Sequence, residues 1–206
     1  MSESRIVAGF LPSSQGLHFA NRFPPGPTVR LGPFDTRWFG GVGDAANGLC
    51  GGMAWFVRER FEAGQPMVPD RQPPPNGSAL FGALVRRQVQ SLEWFRTPLG
   101  FWWIGAFGAA RTARRTREHE WPKIRATIDA GRLAMIGLVR HQGVNPLNLS
   151  KSHQVLAYAY TIEADTIALR VYDPNWPDRD DVEVVIGPDT IRQSTGEVLY
   201  GILALA

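Results

Sequence analysis

Gln154-Val-Leu-Ala-Tyr-Ala-Tyr160 and Thr166-Ile-Ala-Leu-Arg-Val-Tyr172, separated by the turn signal Glu163-Ala-Asp165, decide the fold class of this chain. Both runs are rich in β-branched and aromatic residues, and the break between them is short. They therefore read as a β-hairpin. The same strand character recurs in Leu133-Ala-Met-Ile-Gly-Leu-Val139, Val182-Glu-Val-Val-Ile186 and Leu199-Tyr-Gly-Ile-Leu-Ala-Leu205, with Pro174-Asn-Trp-Pro177 as a further turn. Residues 131–206 are accordingly expected to form an antiparallel β half.

Upstream, the period of the apolar residues changes. Met53, Phe56, Val57 and Phe61 fall on one helical face, which predicts a helix that starts at or just after Cys50 and ends near Ala63-Gly64. Leu80, Leu84, Val85, Val89 and Leu92 repeat at the same spacing and predict a second helix from Ser78 or Ala79 to about Phe95. Residues 98–110 are apolar all round and fit a short buried helix or an aromatic wall; residues 120–130 fit another helix, closed by Gly131. The Pro-rich residues 65–78 read as a surface excursion. Residues 1–46, rich in Gly and Pro and without periodicity, read as an extended lead-in that wraps the surface. The expected fold is a single α+β domain over residues 1–206, with a helical half at 47–130 packed on the β half at 131–206.

Composition narrows the function classes. With 206 residues, 44% of them apolar, the chain can bury one sizeable core. Lys and Arg exceed Asp and Glu by 22 to 19, too small an excess to imply nucleic acid. The cluster Arg111, Arg114, Arg115 and Arg117 lacks the interleaved aromatics of a nucleic-acid footprint and reads as a solvated or anion-touching surface. No stretch is long and apolar enough for a membrane span, and the start of the chain lacks the pattern of a secretory signal. The expectation is a protein that begins in the cytoplasm, with signal-independent export as the other route. With one cysteine the fold cannot rest on an intrachain disulfide. One Cys and scattered His make a metal site unexpected, and with no nucleotide or flavin motif no cofactor is expected.

That lone cysteine stands where chemistry would use it. Cys50 begins a helix, where unpaired backbone N–H groups and the macrodipole favour negative charge and lower a thiol pKa. Gly48, Gly51 and Gly52 around it permit a tight turn and are read as leaving room for a substrate. On this segment alone, a reactive and a structural cysteine are equally good readings. A thiolate nucleophile also needs a base and a group that orients the base. His153 precedes the first hairpin strand and Asp173 ends the second, so the hairpin places both at one end, within reach of each other. His141 also follows a strand and is the rival base, but no carboxylate has a comparable position beside it.

Asn47-Gly-Leu-Cys-Gly-Gly-Met53, Ser152-His-Gln-Val-Leu-Ala-Tyr158 and Val171-Tyr-Asp-Pro174, in this order, resemble the papain-like cysteine peptidases, in particular the bacteriocin-processing, double-glycine-cleaving branch. The resemblance runs from Asn47 to the C-terminus, in order and element type more than in residue identity. It implies a papain-like fold and a Cys50–His153–Asp173 triad. It also implies an oxyanion-hole Gln about six residues before the Cys, where this chain has Asp44; Asn47 is the favoured replacement, and Asn21 is a second candidate from the lead-in. Trp176, just after Asp173, and Gly51 and Gly52 are candidates for the substrate cleft. Phe101, Trp102 and Trp103 are candidates for cleft or core.

The expected activity is acyl transfer from a peptide or protein amide through a thioester. The alternatives are a non-catalytic binding module of the same fold, motivated by the missing Gln, and a toxin or effector that deamidates or cleaves a target protein. The sequence does not fix the oligomeric state.

Overall fold

A computed structural model describes residues 2–24, 30–31, 34–35, 48–91, 109–141 and 153–205. Its strands are β1 (Glu3–Ile6), β2 (Arg30–Leu31), β3 (Phe34–Asp35), β4 (Ala134–Leu138), β5 (His153–Glu163), β6 (Thr166–Tyr172), β7 (Glu183–Ile186), β8 (Ile191–Gln193), β9 (Val198–Leu199) and β10 (Ile202–Ala204). The helices are α1 (Pro12–Gln15), α2 (Cys50–Glu62), α3 (Ala79–Ser91), α4 (Ala109–Arg115) and α5 (Trp121–Asp129), with a π-helical turn, Thr116–Glu120, between the last two.

The long hairpin β5–β6 organises the rest. Its strands pair antiparallel from Glu163↔Thr166 to Leu156↔Tyr172, turning at Ala164 and Asp165, as the sequence predicts. A bulge between Ala157 and Ala159 interrupts the register. The other edge of β5 carries two partners, β4 along its first half and β1 along its second. The sheet runs β10-β4-β5-β6-β7-β8-β9, with β1 attached to β5, while β2 and β3 form a separate two-stranded sheet.

The two ends of that path are the same piece of chain. β9 pairs with β8 and β10 pairs with β4, yet only Tyr200 and Gly201 separate β9 from β10. Tyr200 N–H donates to Val139 O at 2.7 Å and Val139 N–H donates to Gly201 O at 3.0 Å, so the strand passes from one edge to the other without a break. Gly201 sits at this corner with φ +154°, a value glycine adopts readily. The sheet is therefore curled nearly into a barrel, which removes most of the exposed edge that an open sheet would present.

The π-helical turn covers the outward side of β10. Ile202 N–H donates to Thr116 Oγ1 (3.2 Å) and Ala204 N–H to Glu120 Oε2 (3.1 Å). Alternate N–H groups of an edge strand point away from its partner, and two side chains four apart on the turn meet them. Arg115 Nη1 (2.8 Å) and Lys123 Nζ (3.3 Å) neutralise the buried Glu120 carboxylate. Arg117 donates to Asp165 O and Ile186 O. Part of the arginine cluster thus holds the sheet.

The papain-like arrangement expected from the sequence is overturned. The chain is a mixed helix-and-sheet fold with a near-barrel antiparallel sheet in its C-terminal half. Helices and strands are also not segregated along the chain, because β1 from the lead-in joins the sheet. Nor do residues 2–24 of the lead-in wrap the surface: Val7, Phe10, Leu17, Phe19 and Phe23 are buried in the main core, while most of residues 25–46 lie outside the described residues. Phe10 stacks edge-on against Phe61 of α2 (5.1 Å) and contacts Tyr158 of β5 (5.4 Å), and Phe23 meets Phe81 of α3 (5.9 Å). Such rings fill the space between the helices and the sheet.

The helix expected over 120–130 is found as Trp121–Asp129, and the second helix as Ala79–Ser91; residues 92–95 and most of the 98–110 segment lie outside the described residues. Among the described residues, no helix is long and apolar enough to cross a membrane.

Candidate active site

Three elements bring the site together. Cys50 is the first residue of α2, His153 the first of β5, and Asp173 follows directly on β6. Extending the Leu156↔Tyr172 register to the open end of the hairpin puts Val155 opposite Asp173 and His153 opposite Asn175. Asp173 and Asn175 thus flank the histidine on its face of the sheet.

His153 Nε2 donates to Asp173 Oδ1 at 2.6 Å. The other ring nitrogen, Nδ1, is left for Cys50, whose thiol is hydrogen-bonded to the His153 side chain. Asp173 is held from two more directions, by Asn175 N–H on Oδ1 (2.8 Å) and Gln193 Nε2 on Oδ2 (2.6 Å). The Cys50 sulfur also faces the backbone N–H groups of Gly51 and Gln154. All three members are largely enclosed, with exposures of 9% for Cys50, 3% for His153 and 0% for Asp173.

Burial opposes charge on each group, and their contacts overcome it. Burial pushes the Cys50 thiol up, but the neighbouring His153 and the two backbone N–H groups bring it below the ordinary thiol value. Burial disfavours the His153 imidazolium, yet Asp173 and Cys50 carry its pKa up to about 9. Burial raises the Asp173 carboxyl, and His153, Asn175 and Gln193 bring it down to about 2. The network favours a thiolate, an imidazolium and a carboxylate in line. A buried set of charges is tolerable only when every member has a partner, and here each has at least two.

Other expected site residues fare differently. Gly51 and Gly52 do not face an open cleft. A Cβ on Gly51 would lie 2.4 Å from Gln154 Oε1 and from Ser91 Oγ, and one on Gly52 would lie 2.1 Å from Leu84 O. Their missing side chains let α2 approach α3 and β5, so the substrate-space reading of these glycines is corrected to close packing. The Gly52 N–H donates to Gln88 Oε1 of α3 (2.8 Å), which satisfies one of the first-turn donors of α2. Asn47, Asp44, Phe101, Trp102 and Trp103 lie outside the described residues.

Asn21 does arrive from the lead-in, but its amide is engaged with Leu49 N–H and Asn175 Oδ1. Trp176 is 40% exposed, its N–H donates to Asp173 O (2.9 Å), and the Arg179 guanidinium lies 5.5 Å from its ring centroid. The rival base His141 is exposed. Among the described residues, no group of three or more His, Cys, Asp or Glu is arranged to hold a metal.

Sequence reasoning missed Asn175 and Gln193. The hairpin register extended to its open end would have found Asn175. Gln193 lies on a three-residue strand, Ile191-Arg-Gln193, too short and polar to signal itself. No family model matches this chain, and no curated protein or solved structure matches it.

Proposed function

We propose that the chain is a thiol-dependent hydrolase or acyltransferase acting on an amide of a peptide or protein, with Cys50 as nucleophile, His153 as acid and base, and Asp173 as the group that orients the imidazole. The observation that carries this reading is the hydrogen-bonded line from Cys50 through His153 to Asp173, which stabilises the thiolate despite its burial. A structural cysteine has no need of an imidazole held by a buried carboxylate.

In this scheme the Cys50 thiolate attacks the amide carbonyl carbon, forming the C–S bond and moving the π pair onto oxygen. The Leu49, Gly52 and Met53 N–H groups at the start of α2 are taken by Asn21, Gln88 and the Leu49 carbonyl, so we assign the resulting oxyanion to the Cys50 N–H. On collapse the C–N bond breaks and the leaving amine takes the Nδ1 proton of His153. Water or a second amine then attacks the thioester carbonyl, gives its proton to His153, and releases the acyl product and the thiolate. Trp176 offers an apolar surface for the substrate at the rim of the site. The choice between proteolysis, deamidation and transfer turns on which nucleophile resolves the thioester.

A second reading, a binding module that does no chemistry, is favoured by the enclosure of the Cys50 sulfur. Alkylation separates the two. Iodoacetamide labelling of Cys50, followed by intact mass against pH, is expected to show a thiolate reacting below about pH 7 in the wild type, lost in His153→Ala. A thiol that reacts only near its ordinary pKa, with the same profile in both proteins, refutes the hydrolase reading.

A further inference from the structure

The lead-in delivers one polar side chain to the site, and its contacts form a closed path. Asn21 Oδ1 accepts from Leu49 N–H at 2.6 Å, in the residue immediately before Cys50. Asn21 Nδ2 donates to Asn175 Oδ1 at 3.3 Å. The Asn175 N–H donates to Asp173 Oδ1 at 2.8 Å, which joins the path to His153; Asn175 Nδ2 lies 3.4 Å from His153 Nε2 in packing contact only, because Nε2 already donates to Asp173. The Asn21 backbone N–H donates to Pro174 O at 2.9 Å. A single residue thereby bridges the segment that carries the nucleophile and the segment that carries the base and its carboxylate.

The chemistry of the path requires an amide at residue 21. Leu49 N–H needs an acceptor, which fixes Oδ1 toward α2 and turns Nδ2 toward Asn175. That orientation in turn fixes the Asn175 amide, with Oδ1 toward Asn21 and Nδ2 against the edge of the His153 ring. Aspartate at 21 would keep the Leu49 contact but reverse the Asn175 amide and set a negative charge beside the segment that carries the thiolate, which raises the thiol pKa. Leucine would satisfy neither. Gly48 makes room for the amide: it has φ +86°, and a Cβ there would lie 2.4 Å from Asn21 Nδ2.

We propose that Asn21 is a positioning residue: through Leu49 on one side and Asn175 on the other, it sets the separation of Cys50 and His153. This rests on the thiol-hydrolase reading above. Residues 17–23 then help to position the catalytic groups, since the stretch that buries Phe19 and Phe23 also seats Asn21.

The test uses the full chain and iodoacetamide as probe, comparing wild type, Asn21→Ala, Asn21→Asp, Asn175→Ala and the Asn21→Ala/Asn175→Ala double variant. The pH midpoint of Cys50 alkylation is expected to rise in each single variant, with the rate at pH 6 falling about tenfold, and the double variant is expected to be no worse than the single ones. The shift in midpoint distinguishes positioning from general loosening, and Asn21→Asp keeps the test open if the alanine variant fails to fold. A wild-type midpoint in Asn21→Asp, or additive losses in the double variant, overturns the proposal. A wild-type thiol with no His153 dependence refutes the hydrolase reading by itself. The clamp is then judged by hydrogen exchange at the Leu49 amide and the His153 ring shifts: changes in both in Asn21→Ala support it, and unchanged values reject it.

Discussion

Gln193 Nε2 donates to Asp173 Oδ2 at 2.6 Å, so the carboxylate that orients His153 is itself held from β8, two places along the sheet from β6, the strand that leads into Asp173. The other oxygen, Oδ1, serves both His153 and the Asn175 N–H. Replacing Gln193 by Leu leaves Oδ2 buried without its donor, which raises the Asp173 pKa from about 2 and weakens its hold on the imidazolium. Gln193→Leu is expected to cost about 2 kcal/mol in urea unfolding at pH 7. It is also expected to lower the His153 pKa followed by NMR titration. Unchanged titration would show that Gln193 only fills space.

The His153 and Cys50 titrations act on stability in opposite directions. The folded protein keeps the His153 proton up to about pH 9, whereas the ordinary value is 6.5. This contribution is present in full below pH 6.5 and is lost as pH rises through about 9. Cys50 is shifted below its ordinary value of 9.0, so its contribution is present above that pH and is lost as pH falls through the folded pKa. Between pH 6.5 and 9 the two slopes have opposite sign wherever Cys50 is ionised in the folded protein, so the wild type is expected to lose less stability across this window than a protein that keeps the His153 shift alone. In Cys50→Ser the thiolate is gone but Asp173, the larger source of the His153 shift, remains. Its unfolding free energy is expected to fall across this window, by up to about 3 kcal/mol. Parallel curves for the two proteins would refute the ion pair.

The glycines after Cys50 make a separable prediction. A Cβ at 52 would meet the Leu84 carbonyl oxygen at 2.1 Å, and backbone in a helix cannot turn aside. At 51 it would meet the ends of the Gln154 and Ser91 side chains at 2.4 Å, and these can rotate. Gly52→Ala is therefore expected to destabilise by about 3 kcal/mol and Gly51→Ala by about 1 kcal/mol, read as urea midpoints at constant slope. Equal losses would mean that the α2–α3 contact is not the constraint.

The hairpin carrying His153 and Asp173 was legible because strand composition and a two-residue turn are local signals, and they fix which residues end side by side. The helix start at Cys50 was legible for the same reason. Closure of the sheet was not, because it depends on Leu199 and Ile202 pairing with strands far apart in sequence, with only Tyr200 and Gly201 between β9 and β10. The lead-in was misread because all four side chains of Glu3–Ile6 are exposed and show no alternation. Its buried residues, Phe10, Leu17, Phe19 and Phe23, are spread among Gly and Pro without a period. Gly51 and Gly52 were read as space for substrate because a sequence does not say which neighbour occupies the space that a missing side chain leaves.

The closure of the sheet has its own test. Glu120 and Thr116 meet the two outward N–H groups of β10, and Glu120 is 2% exposed between Arg115 and Lys123. Glu120→Ala removes the acceptor for Ala204 N–H and leaves the half-buried Arg115 without this carboxylate, an expected loss of about 3 kcal/mol. Thr116→Val keeps the shape and removes only the acceptor for Ile202 N–H, for about 1 kcal/mol. Because both act on the same strand, hydrogen exchange should quicken at Ile202 and Ala204 before it changes in the β5–β6 hairpin. Exchange that rises uniformly in both places would mean that the sheet opens as one unit and that the π-helical turn is not what fastens its edge.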